Sequence, residues 1–225
     1  MSEKDIVTNI FGWTGIGLSS YFFFAPLFPI IKILKGKLAY KDAPYILLLI
    51  SLLNCIVWIV YGLLINDFKI YLNNIIGSGM TLIWITIYII IIVKKKCCFA
   101  FGFIFLLIML VVGITISFYL FVPFDIIGYV VISASILVYA APGEKIYNVI
   151  KTHNYKVIPI FSTIGGFFCT LCWVMYGIYQ NDYKIYAPNG AGLFFAVIQI
   201  LFYLIYYCKR KKEMPDFPEE NENII

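Results

Sequence analysis

The chain has 225 residues, of which 62% are hydrophobic and 13% charged, and a net charge of +5. A soluble domain usually carries about 25% charged residues, so a water-soluble fold has nowhere to hide this much apolar surface. The basic excess forms no stripe with interleaved aromatics, which excludes a nucleic-acid partner and leaves the placement of the charges to be explained.

The charges punctuate apolar runs. These lie between Asp5 and Lys32, Asp42 and Asp67, Lys69 and Lys94, Lys96 and Asp125, Asp125 and Glu144, Lys156 and Asp182, and Lys184 and Lys209. A helix needs roughly 20 apolar residues to cross the hydrocarbon. All but the fifth run meet that length directly, and the fifth does so if its helix continues past Glu144 and Lys145 toward Ile150. Backbone polar groups in lipid must be satisfied within the segment, which selects helices. The expectation is an all-α membrane protein with seven transmembrane helices in a lipid bilayer. The opening segment MSEKDIVTN lacks a basic n-region, so the first run reads as a retained helix.

Alternate loops differ in charge. One side of the membrane collects 14 basic residues (Lys32, Lys35, Lys37, Lys41, Lys94, Lys95, Lys96, Lys145, Lys151, Lys156, Lys209, Arg210, Lys211 and Lys212), and the other only Lys4, Lys69 and Lys184. The positive-inside rule puts the richer side in the cytosol. The N-terminus is then outside and the C-terminus inside. The six cysteines lie in helices or at their cytosolic ends, so no disulfide framework is expected. Cys169 and Cys172 form a CxxC inside an apolar helix, where packing is the simpler role.

The same text occurs twice. Trp58, Tyr61, Gly62, Asn66, Asp67, Lys69, Ile70, Tyr71 and Asn74 recur as Trp173, Tyr176, Gly177, Asn181, Asp182, Lys184, Ile185, Tyr186 and Asn189, all displaced by 115 positions. Pro44 and Pro159 share that displacement, and Pro26 and Pro142 differ from it by one. A repeat of this kind constrains a fold more than any single motif. It divides the chain into a first three-helix unit (1–96), a single linker helix (97–124), a second three-helix unit (125–208) and a disordered, acidic cytosolic tail (209–225). One extra crossing between the units makes them parallel, and internal repeats with a site at their interface are a transporter signature.

With these motifs the sequence resembles the SWEET sugar transporters, from about residue 10 to 208. The resemblance rests on the 3+1+3 plan, the helix prolines, the twin WxxYG motifs and an Asn sixteen residues after each Trp. The related PQ-loop carriers share the plan, but this chain has no Pro-Gln at either proline position. The resemblance implies bidirectional facilitated diffusion of mono- or small disaccharides by alternating access, with no cofactor and no enzymatic activity. It leaves open a homo-oligomer, and a plasma-membrane or internal-membrane location. A channel, a PQ-loop-type carrier for another small polar solute and a seven-helix receptor are the alternatives. The repeat argues against the last.

The residues give this reading content. Trp58 and Asn74 flank one short turn and lie about 10–14 Å deep at 1.5 Å per residue, near the middle of a core about 30 Å thick. Trp173 and Asn189 repeat that depth. An aromatic ring covers the C–H face of a pyranose, and an amide both donates and accepts to hydroxyls. The alternative is that the tryptophans pack and the asparagines tie helices together. The resemblance implies that Trp58, Asn74, Trp173 and Asn189 bind the sugar, and two tryptophans lean toward monosaccharides. It further implies that Pro26, Pro44, Pro142 and Pro159 are hinges near the cytosolic gate; each proline removes a backbone hydrogen bond. Pro44 and Pro159 sit near helix starts, where proline costs little, whereas Pro26 and Pro142 lie deeper. Pro29 is an unmatched extra. Tyr61, Lys69 and Asp182 match positions that close the extracellular side in the family. Lys69 and Asp182 come from the two turns and either pair when these meet or stay solvated, where exposed pairs are worth little.

No acidic, basic or histidine side chain is expected at mid-membrane depth, with Glu144 at the cytosolic interface, and pumps and symporters usually need such groups. The lone His153 has no partner for metal or catalysis, and no phosphate loop, carboxylate pair or nucleophile–base set occurs. Passive transport is the expected mechanism.

Overall fold

A computed structural model describes residues 3–38, 45–93, 106, 109–110, 113–114, 116–117, 119–138 and 140–213. All regular structure among them is helical. The helices are α1 (Glu3–Phe22), α2 (Leu27–Leu34), α3 (Tyr45–Leu64), α4 (Phe68–Val93), α5 (Phe124–Val138), α6 (Ala140–Thr152), α7 (Ile160–Gln180) and α8 (Tyr183–Glu213), with a 3-10 turn at Tyr155–Val157.

Six stretches of the described residues are long and apolar enough to span a bilayer: Glu3–Leu34, Leu47–Leu64, Phe68–Ile91, Phe124–Thr152, Ile160–Gln180 and Tyr183–Arg210. They coincide with six of the seven expected runs. The first joins α1 to α2 and the fourth joins α5 to α6, so the short fifth run does reach its length by continuing past Glu144. Most of the expected linker helix lies outside the described residues. Those described between 106 and 121 are all helical and mostly exposed, and Ile114 packs against the core formed by Ile30, Leu52, Ile56 and Trp84. The last helix runs on through Lys209 to Glu213, where a disordered tail is expected from residue 209. Lys and Arg are good helix formers, and their charge suits a helix C-terminus.

Both hairpins of the repeat are built alike. Asn66 and Asn181 take left-handed backbones, with φ 56° and 58°, a conformation asparagine tolerates at a helix C-terminus. Asp67 and Asp182 then cap the next helix: Asp67 Oδ1 accepts from the N–H groups of Lys69 (3.0 Å) and Ile70 (3.2 Å), and Asp182 Oδ1 from that of Lys184 (3.0 Å). Such caps contribute about 1 kcal/mol each. Gly62 and Gly177 let the hairpin arms close. A methyl group there would lie 2.8 Å and 2.7 Å from the backbone nitrogens of Tyr71 and Tyr186.

Packing runs from α1 to α4, α4 to α3, α3 to α5, α5 to α8, α8 to α7, and α7 back to α1. The six elements close a ring in which the copies meet twice, at α3–α5 and at α1–α7. The main core sits at these two seams and includes Ile16, Val57, Val60, Tyr61, Ile127, Val131, Trp173 and Tyr176. Large apolar side chains cover the outside, among them Phe161 at 88% and Leu34 at 67% exposure. In water this would be a severe aggregation liability; against lipid tails it is the expected surface.

Candidate functional site

The site forms where the ring brings each copy's α3 or α7 tryptophan against the other copy's first helix. Trp58 Nε1 donates to Ser135 Oγ on α5 at 3.0 Å, and Ser135 Oγ donates to Asn54 Oδ1 on α3 at 3.2 Å. In the other copy Trp173 Nε1 donates to Ser19 Oγ on α1 at 3.1 Å, and Ser19 Oγ lies 3.3 Å from Cys169 Sγ on α7. Both indoles are buried. Their N–H groups are taken by the opposite copy, so each ring is held in orientation. Indole N–H groups are satisfied when buried, which is why the ring is an anchor as well as a surface.

The two walls are not equal. Trp173 lies against Gly15, where an added methyl would come within 3.0 Å of the indole. The corresponding place in the second copy is Val131, fully buried. The chain also puts an amide (Asn54) on one side and a thiol (Cys169) on the other. The first is a strong hydrogen-bonding group and the second a weak one.

Asn74 and Asn189 take matching positions on α4 and α8. Their Nδ2 groups donate to Ile70 O and Ile185 O, each at 2.8 Å. One donor of each amide is therefore tied to its own helix. Asn73, the neighbour that blurs the register, is also buried, and its Oδ1 has no partner among the described residues. Pro188 occupies its place in the second copy.

At the hairpin end two crossed bonds join the copies. Tyr61 Oη donates to Asp182 Oδ2 at 2.5 Å, and Tyr176 Oη to Asp67 Oδ2 at 2.6 Å. Each aspartate thus caps its own helix with one oxygen and grips the other copy's tyrosine with the second. Of the three residues expected to close this end, Tyr61 and Asp182 meet. Lys69 instead lies over the ring of Tyr176, at 5.7 Å. Lys184, read as a loop charge, is buried, with its ammonium 4.1 Å from the ring of Phe124 and 5.8 Å from that of Tyr61. Gly128 makes room for its alkyl chain, as Gly12 does for that of Lys69. A cleft of about 450 Å³ opens above the pairs, lined by Asp67, Lys69, Tyr176, Gln180 and Asp182.

Prolines cluster at the opposite end. Pro26 lies at the break between α1 and α2, and Pro142 lies within α6. Pro142 O accepts from Gln199 Nε2 at 3.1 Å. Pro159 is the N-cap of α7. Pro44 lies outside the described residues. Glu144 is exposed on α6. No group of three or more metal-ligating side chains occurs among the described residues.

Fold and site define a polytopic membrane protein of duplicated design, its two copies closing on a shared aromatic and polar centre. A family described as "Sugar efflux transporter for intercellular exchange" matches residues 9–96 and 125–212, one match per copy. The chain belongs to this family, the SWEET transporters. Similar relatives include bidirectional sugar transporter SWEET5 of Arabidopsis thaliana, 30% identical over 92% of this chain and 89% of that one. SWEET8 of the same plant is 30% identical over 99% and 97%, and SWEET7b of Oryza sativa subsp. japonica 28% over 92% and 81%. A solved eukaryotic SWEET transporter superposes with a TM-score of 0.79, covering 92% of this chain and all of that one at 24% identity, which shows the shared fold.

Sequence reasoning missed Ser19, Ser135, Asn54, Cys169, Asp67 and Tyr176 as parts of the site. Ser19 and Ser135 are related by the same offset of 116 as Pro26 and Pro142, so a signal existed. Asp67 and Tyr176 are the repeat partners of Asp182 and Tyr61 and were equally visible.

Proposed function

We infer that this chain carries sugars across a membrane by facilitated diffusion in both directions, alternating access to one central site. The observation that carries it is the pair of cross-copy Trp–Ser bonds, which fix two indoles at the seams between the copies, with the amides of Asn74 and Asn189 at matching positions on α4 and α8. Aromatic rings and amides suit the C–H faces and hydroxyls of a pyranose. The names of the relatives, bidirectional sugar transporters, support the same reading.

The full arrangement is a 3+1+3 plan with residues 97–124 as linker, the N-terminus outside, the C-terminus cytosolic and the plasma membrane as its location. The hairpin end is then extracellular. Tyr61, Asp182, Tyr176 and Asp67, with Lys69, close it, and the break at Pro26, with Pro44, Pro142 and Pro159, moves the cytosolic side. Two bonded pairs across the hairpin end favour a carrier over an open pore. A panel of labelled sugars offered to transport-deficient cells expressing the chain tests the reading. Saturable uptake, insensitive to protonophores and sodium removal, with counterflow, is the expected result. Accumulation above the external concentration contradicts it.

A further inference from the structure

We propose that Trp84 is a positioning residue of the first hinge, holding through its N–H a backbone carbonyl left over at the Pro26 break. This rests on the carrier reading above. In an unbroken helix the carbonyl of Phe23 would accept the N–H of Leu27. Here the Leu27 N–H goes to Phe24 O at 3.0 Å and the Phe28 N–H to Ala25 O at 3.3 Å, while Ala25 N–H takes Phe22 O at 2.9 Å. Pro26 has no N–H to give to Phe22 O, which Ala25 takes instead, and the turn shifts the Leu27 N–H away from Phe23 O. Phe23 O is left over in an apolar environment, where an unsatisfied carbonyl is costly. Trp84 Nε1 fills it at 2.6 Å from α4, and Trp84 is itself only 6% exposed.

A second contact lies two turns earlier on the same face of α4. The ring of Phe23 rests on Gly77, where any added methyl would overlap it. The ring of Phe24 meets Trp84 edge to face at 6.4 Å. So α4 grips the break at its carbonyl and at its side chains, while α2 continues beyond it.

The second copy shows which part of this grip is essential. Trp84 displaced by 115 is Gln199, and Gln199 Nε2 donates to the carbonyl of Pro142, the repeat partner of Pro26, within α6. An indole and an amide share no shape, only a donor. Gln199 also accepts from Thr163 Oγ1 at 3.2 Å, so it too is fixed by its neighbours. One register position thus delivers an N–H to a backbone carbonyl at or near the matched proline in both copies. The inference is that the donor is a pivot, keeping the freed carbonyl satisfied while α2 swings against α4.

Packing and donation make opposite demands on substitutions, and this gives the test. Trp84→Phe keeps an aromatic ring and loses the donor. Trp84→Gln and Trp84→His lose the indole and keep one. We expect Trp84→Phe to retain less than about a tenth of the wild-type maximal rate per surface molecule. Sugar affinity of the purified protein should stay within about threefold. The Gln and His variants should retain at least about a third of the rate. A nitroxide pair at Leu34→Cys and Ile90→Cys, in a background without other cysteines, should give a broader distance distribution in Trp84→Phe but not in Trp84→Gln. A phenylalanine variant as active as the Gln and His variants, or one with a wild-type distance width, overturns the proposal. Loss of transport in all three variants also overturns it. A wild-type chain that moves no sugar in the same assay overturns the carrier reading instead, and the distance measurement still judges the grip on the break.

Discussion

Replacing Tyr61 and Tyr176 by phenylalanine should loosen the hairpin end by a calculable amount. Each tyrosine donates a short bond to a carboxylate, 2.5 Å and 2.6 Å long, and hydrogen bonds to charged groups contribute about 1.5–3 kcal/mol. Phenylalanine leaves the ring contacts in place, among them Tyr61 with Phe124 at 5.9 Å and Tyr176 with Trp173 at 5.5 Å. Each aspartate keeps its own helix cap, and the freed oxygen faces an open cleft that water can enter. The lower figure, about 1.5 kcal/mol, therefore applies, or about a tenfold shift toward the open form per variant. The bonds join the same two copies, so the double variant should shift by roughly a hundredfold if their effects add. Cys169, buried beside Ser19, is a native reporter. In a chain keeping only this cysteine, alkylation by an impermeant reagent added outside should speed up by about these factors. Equal rates in parent, single and double variants would refute the idea that the Tyr–Asp bonds hold this end shut.

Three further outcomes follow from the site. Removing an amide leaves sugar hydroxyls unpaired at about 1–3 kcal/mol per buried group, so Asn74→Ala and Asn189→Ala should each raise half-saturation by roughly five- to a hundredfold; an unchanged half-saturation with lower protein yield would mean they only pack helices. Trp58→Ala removes one indole face, and uptake of a small sugar should be lost while a larger one enters; unchanged selectivity in a size series would count against the indole as a wall. Pro26→Ala and Pro142→Ala should abolish most uptake at near-normal surface amounts, because each restores a backbone N–H and stiffens its helix; normal rates in both would reduce these prolines to punctuation.

Much of the architecture was readable in the chain because lipid imposes long apolar runs and duplication leaves a fixed displacement. Trp58, Tyr61, Gly62, Asn66 and Asp67 could be matched to their copies by position alone, and their local jobs follow from residue chemistry: a left-handed cap for Asn66, a close approach for Gly62. What the chain did not reveal are contacts made across the ring. Ser19 and Ser135 are small polar residues of a kind common in membrane helices, and their bonds to Trp173 and Trp58 depend on which first helix meets which tryptophan. Lys184 was counted only as a basic residue of the charge-poor side, and the slot that Gly128 opens for its alkyl chain depends on α5 meeting α8. Trp84 and Gln199 escaped notice because the repeat keeps their donor and not their identity.

The measurement that bears most directly on the central claim uses purified chain in sealed vesicles with no ion gradient. Vesicles preloaded with unlabelled sugar should draw in labelled sugar transiently against its own gradient, and the exchange should saturate. Flux that grows linearly with concentration and shows no counterflow, or that requires a proton or sodium gradient, would contradict an alternating passive carrier.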